Sequence, residues 1–146
     1  MKFILTHALA SDGMKLLKSN NVEVYIANSA DIGSYLDKVQ TADGLLIRGG
    51  ICDAKIIAQC PQLKVIGRTG VGVDNVDVAF ATQRGIPVVI TPGANARSVA
   101  EHTVAFMFSL AKNFREADYE LHQGNWKIRD ANRAIELAGK KVGIIG

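Results

Sequence analysis

Gly44-Leu45-Leu46-Ile47-Arg48-Gly49-Gly50 is the stretch that decides the fold of this chain. Its apolar run is too short for a helix, and it lies between a glycine and a charged residue followed by two more glycines. Such a run, without polar alternation, reads as a strand buried on both faces, the mark of a parallel sheet. Outward from it the pattern repeats. Phe3-Ile4-Leu5, Val22 to Ile26, Leu63 to Gly67 and Pro87 to Thr91 read as further strands. Between them, Asp12 to Ser19, Asp31 to Val39, Asp53 to Gln59 and Asn75 to Gln83 read as helices, the last closed by Gly85 as C-cap. Strands and helices in alternation predict an α/β fold, a parallel sheet covered on both sides. Five such units with short loops suit the flavodoxin-like order.

The composition is that of an ordinary globular protein, 48% hydrophobic and 21% charged over 146 residues. The net charge of +3 is scattered, and the densest basic group is Lys15 with Lys18, so no stripe suits nucleic acid. Met1 to His7 turns polar too soon for a signal peptide, and no apolar run reaches the roughly 20 residues of a membrane span. Cys52 and Cys60 lack companions at metal-ligand spacing and read as reduced thiols in a cytoplasmic protein. No metal site is expected.

After Thr91 the character changes. Pro92-Gly93-Ala94-Asn95 is a loop, and Ser98-Val99-Ala100-Glu101 reads as a capping box that opens a helix running to about Leu121. Val104 to Ala111 is apolar nearly all round, which predicts burial against a second domain or subunit. Gly124-Asn125-Trp126 through Leu137 reads as an extended arm. Gly139-Lys140-Lys141-Val142-Gly143-Ile144-Ile145-Gly146 is a turn, an apolar run and a glycine, as at the opening of a Rossmann dinucleotide site. The expected division is residues 1–95, 96–138 and 139–146.

Two loops carry the candidate chemistry. Arg48-Gly49-Gly50 follows the third strand, where ligands sit in open parallel sheets, and its glycines leave backbone N–H groups free to face an anion. A tight strand-to-helix turn is the plainer alternative. Gly67-Arg68-Thr69-Gly70-Val71-Gly72 follows the fourth strand but is spaced G-x-x-G-x-G, not as a dinucleotide loop. Asp74 and Asn75 read as caps for the next helix. Glu101 and His102 point about 100° apart on a helix and cannot form an acid–base pair. His7, His102 and His122 are dispersed and read as structural. The residues by themselves present no catalytic centre.

Several blocks together change that reading. Gly67 to Asp77, Ala81-Thr82, Gly85-Ile86, Thr91 to Asn95, Ser98 to Thr103, Gly124-Asn125-Trp126 and Gly139 to Gly146 resemble, in order and spacing, the D-isomer-specific 2-hydroxyacid dehydrogenase family, above all its phosphoglycerate dehydrogenase-like and hydroxypyruvate- or glyoxylate-reducing branches. The resemblance implies a flavodoxin-like substrate domain, a long interdomain and dimerisation helix, and the first strand of a Rossmann domain. It implies that Arg48, Gly49 and Gly50 line the pocket for the substrate carboxylate. Gly72 and Asn95 would also sit by the substrate, and Val71 and Val99 by the nicotinamide of NAD, with Gly146 opening the cofactor loop. It further implies a small 2-hydroxy or 2-keto acid substrate and a homodimer built through helix 98–121 and the arm near Trp126. The family's catalytic Arg, Glu and His would lie beyond Gly146, so these residues alone are expected to be inactive. In the arm, Arg129 stands one step later than the basic residue of many phosphoglycerate enzymes. The alternative is a substrate-binding and dimerisation module without turnover. A phosphoacceptor receiver domain would need a carboxylate where this chain has Arg48.

Overall fold

Parallel strands carry the first part of the chain in the computed structural model, which describes residues 1–145. They are β1 (Lys2–Leu5), β2 (Glu23–Ile26), β3 (Gly44–Ile47), β4 (Val65–Arg68) and β5 (Val88–Val89), ordered β2-β1-β3-β4-β5. All four ladders are parallel, as the flavodoxin-like reading requires. Helices α1 (Ser11–Ser19), α2 (Leu36–Val39), α3 (Ala54–Ala58) and α4 (Val78–Gln83) make the crossovers. Register sets the core. Tyr25, Ile4, Leu45, Ile66 and Val88 form one row across the sheet. Against that row pack Ile32, Tyr35, Val39, Ile57, Cys60, Ala81 and Ile86, all buried. Strand order reverses between β1 and β3, which makes their carboxyl ends the switch point where such sheets open a ligand crevice.

Local chemistry explains the helix starts. Asp53 accepts from the Ile56 N–H at 3.0 Å and caps α3. Asp77, not Asp74 or Asn75, caps α4 by accepting from Phe80 at 2.9 Å, so the helix begins three residues later than expected from the sequence. The expected helix over 31–39 divides into a 3₁₀ turn, Ile32–Tyr35, and the short α2. Gly85 closes α4 with φ +67°, its N–H donating to Thr82. The neighbouring Arg84 guanidinium donates to the Ile57 and Cys60 carbonyls and so ties α4 to the end of α3.

A second compact unit begins at Asn95. It holds α5 (Ala96–Ala111), α6 (Phe114–His122) and α7 (Ile128–Ala131). The single helix expected over 98–121 is therefore two helices. Asn113, at φ 51° in the left-handed region, breaks it. Its side chain donates to the Asn132 Oδ1 at 2.9 Å, Asn132 donates to the Lys112 carbonyl at 3.2 Å, and the Ile135 N–H reaches the Ala111 carbonyl. The carbonyls left open at the break are thus satisfied by the arm that follows. α5 also starts before the expected capping box. Asn95 is its N-cap and makes no side-chain cap bond, while Ser98 and Glu101 lie inside the helix. Of its 16 residues only Ala111 is buried. Val142 to Ile145, expected as a strand, joins no ladder among the described residues, and all four are exposed. Gly146 lies outside the described residues. Among those described, no helix is long and apolar enough to cross a membrane.

Candidate functional site

The crevice at the carboxyl ends of β1, β3 and β4 is built from two loops held together by hydrogen bonds. The first is Arg48-Gly49-Gly50. Its anchor is Thr6, buried just past β1, whose Oγ1 accepts the Arg48 N–H at 3.0 Å while its own N–H donates to the Leu46 carbonyl. Gly50 has φ +80°, and a Cβ there would run into the Ala30 carbonyl oxygen. No other residue type fits that position without moving backbone. Gly49 is less constrained, since an added Cβ would meet only the His7 ring carbon Cε1 at 3.5 Å and the Ala30 Cβ at 3.7 Å.

The second loop, residues 69–76, is fastened to the first. The Thr69 N–H donates to Ile47, and the Asn75 side-chain amide donates to the Gly50 carbonyl at 2.7 Å. Cys52 donates to the Asn75 carbonyl and accepts from the Asp77 N–H, making an isolated parallel bridge between Cys52 and Val76. Farther along, Thr91 donates to the Gly70 carbonyl, which adds the strand β5 exit to the same assembly. Among the described residues the N–H groups of Gly49, Gly50 and Ile51 have no acceptor in the protein, nor do those of Val71 and Gly72. Successive unpaired N–H groups in a glycine loop are the kind of donors that can hold an oxyanion.

The thiol of Cys52, next to this site, is not a nucleophile. Burial pushes it up to about 12, with Cys60 and Asp53 adding to the shift, so it stays protonated. Cys60 is raised as well, chiefly by burial, with Arg84 acting in the opposite direction, and it donates to the Ile56 carbonyl. Both cysteines are free.

The candidate residues fall into two groups. Arg48, Gly49, Gly50, Val71 and Gly72 come together on the first unit, with the Arg48 side chain, Val71 and Gly72 exposed at the crevice. Asn95 and Val99 belong to the second unit, where they lie one turn apart at the start of α5, with the Val99 N–H donating to the Asn95 carbonyl. Two contributors escaped the sequence reading. Asn75, expected to cap a helix, instead braces the glycine loop. Arg68, at the end of β4, folds its guanidinium over Gly70 and donates to the Thr69 carbonyl at 2.9 Å, leaving a buried Nε without a partner. The bare Gly70 that makes room for it was its only signal in the sequence.

The sequence and the fold have known counterparts. A family model described as D-isomer specific 2-hydroxyacid dehydrogenase, catalytic domain, matches residues 3–138. The chain belongs to the D-isomer specific 2-hydroxyacid dehydrogenase family. Within that family, it is 41% identical to a D-3-phosphoglycerate dehydrogenase of Methanocaldococcus jannaschii over 147 aligned positions, which cover all of this chain and 28% of that relative. Among solved structures, the TT0316 protein of Thermus thermophilus matches at 27% identity and a TM-score of 0.80, over 95% of this chain and 44% of that one. The NAD+-bound 3-phosphoglycerate dehydrogenase of Entamoeba histolytica matches at 28% identity and a TM-score of 0.67, over 77% of this chain and 39% of that one. The chain thus spans between about a quarter and a half of the lengths of these family members.

Proposed function

We propose that this chain is the substrate-binding and dimerisation part of an NAD-dependent D-2-hydroxyacid dehydrogenase of the phosphoglycerate dehydrogenase-like kind, which interconverts a 2-keto acid and a D-2-hydroxy acid. The observation that carries the reading is the pair of stitched loops, which hold unpaired N–H groups just past the strand ends at the β1/β3 switch point. A substrate carboxylate is the group that such donors select. Gly49 and Gly50 donate to it, Arg48 supplies positive charge at the rim, and Gly72 borders the rest of the substrate.

NAD, when bound, supplies the hydride acceptor for oxidation of the 2-hydroxy acid. The residues present suit one end of it. Val71 is half exposed and apolar beside the bare Gly72, a surface that fits the face of a nicotinamide ring. Val99 is a second apolar side chain of the same kind, and Gly146 would open the pyrophosphate loop. A cytoplasmic setting is supported by the two free thiols. The homodimer is supported by the apolar surface of α5 and α6, where Phe106 and Leu110 are 57% and 77% exposed, and by Trp126 in the arm at 76%.

The test is calorimetric titration of the chain with D-glycerate and with propionate, a carboxylate of similar size that lacks the 2-oxygen. Binding of glycerate in preference to propionate supports the reading, and equal or absent binding removes it. Light scattering over a range of concentrations tests the dimer, which the reading expects to persist at micromolar chain.

A further inference from the structure

We propose that His7 is a direct substrate contact, its imidazole Nε2–H completing the carboxylate pocket formed by the Gly49 and Gly50 N–H groups at the β1/β3 switch point. The inference rests on the proposed function above and adds a side chain that no part of that reading uses.

Topology comes first. β1 and β3 are neighbours in the sheet, and strand order reverses between them. The residues just past their carboxyl ends therefore share one crevice. On the β3 side these are Arg48, Gly49 and Gly50. On the β1 side they are Thr6 and His7, of which Thr6 is buried and His7 exposed. His7 is thus the side chain that β1 presents to the pocket.

Hydrogen bonding then orients the ring. The Thr6 Oγ1 accepts the Arg48 N–H, which leaves its own proton to donate. The Nδ1 of His7 lies 3.2 Å from that oxygen, and the Leu46 carbonyl lies 3.5 Å away, at the limit of a useful bond. Two tautomers of the ring fit this contact, and in the one we assign the hydroxyl proton is directed to Nδ1 and the ring hydrogen sits on Nε2. The ring edge bearing Cε1 lies over Gly49, 3.5 Å from where that residue's Cβ would be. Among the described residues Nε2 has no protein partner. In that tautomer the imidazole donor lies next to the Gly49–Gly50 backbone, whose N–H groups also have no acceptor in the protein, and an oxyanion bound there is the partner we assign to them. The same network links ring and loop, since the Thr6 Oγ1 accepts the Arg48 N–H and lies within hydrogen-bond distance of the imidazole Nδ1.

The experiment uses the full chain with D-glycerate as the probe. His7→Ala is expected to weaken binding about tenfold, the usual effect of losing one hydrogen bond to a charged group. His7→Gln, whose amide N–H reaches the place of Nε2, is expected to stay within about threefold of the parent. Nuclear magnetic resonance supplies a readout that a structural role would not move. On adding glycerate the His7 ring protons should shift, while those of His102 and His122 should not. Glycerate binding that is unchanged in His7→Ala overturns the inference and leaves the proposed function standing. Equal weakening in His7→Ala and His7→Gln, with unmoved His7 ring signals, also overturns it, because the ring then acts only through Thr6. A parent chain that binds no glycerate overturns the inference and the proposed function together.

Discussion

Residues 1–94 and the unit that begins at Asn95 use apolar side chains in opposite ways. In the first, Ile4, Leu45 and Ile66 are fully buried in a row across the sheet, and three helices lay side chains over them. In the second, the apolar residues of α5 and α6 face outward, and Ala111 and Ile128 are its buried apolar residues among those described. Backbone hydrogen bonds suffice to form a helix of 16 residues, but they do not bury it. The first unit is therefore stabilised by its own core, and the second leaves apolar side chains uncovered, the surface on which the proposed dimer rests.

The sharpest way to break this comparison is a core truncation. Ile66→Ala should cost about 3 kcal/mol in urea denaturation, because the cavity it leaves sits at the centre of the sheet. A loss below about 1 kcal/mol would place the core elsewhere. Gly50→Ala comes next, at about 2 kcal/mol, since a side chain there meets the Ala30 carbonyl in a positive-φ conformation. It should also abolish glycerate binding in calorimetry. Asn75→Ala should cost about 1 kcal/mol by leaving the Gly50 carbonyl unpaired, and should weaken glycerate binding more than that loss explains.

Alkaline pH separates the units more gently. The Cys52 thiol titrates near 9.0 when unfolded and is pushed up to about 12 in the fold, so the folded chain holds the proton longer. Stability is then fully present below pH 9 and declines as pH rises toward 12. Cys52→Ala should flatten that decline in denaturation curves taken across the range. The smallest effect on stability is expected from Leu110→Glu, within about 0.5 kcal/mol, because the side chain is already exposed. The same change should convert the proposed dimer to monomer in light scattering.

Much of the first unit was legible because contiguous apolar runs such as Leu45-Leu46-Ile47 have few other uses. Sheet order followed from strand count and loop length. Helix ends were less so. Asp74, Asn75 and Asp77 are all good caps, and only the tertiary bond from Asn75 to Gly50 decides that Asp77 serves. The break at Asn113 was hidden because the apolar pattern continues through it and the stabilising partner, Asn132, lies 19 residues on. Gly49 and Gly50 could be placed at a strand end from sequence alone. Thr6 and His7 could not be joined to them, because 42 residues separate Thr6 from Arg48 and only the β1–β3 ladder brings them together.

The bond from Asn75 to Gly50 and the bridge between Cys52 and Val76 have a practical consequence for protein engineering. The glycine loop is not a self-contained cassette. A designer who moves residues 48–52 into another scaffold, or replaces them with a foreign loop to alter acid preference, must carry residues 75–77 along with them. Recombination that cuts the chain between these two stretches should yield hybrids that keep the sheet yet hold the loop in no single shape.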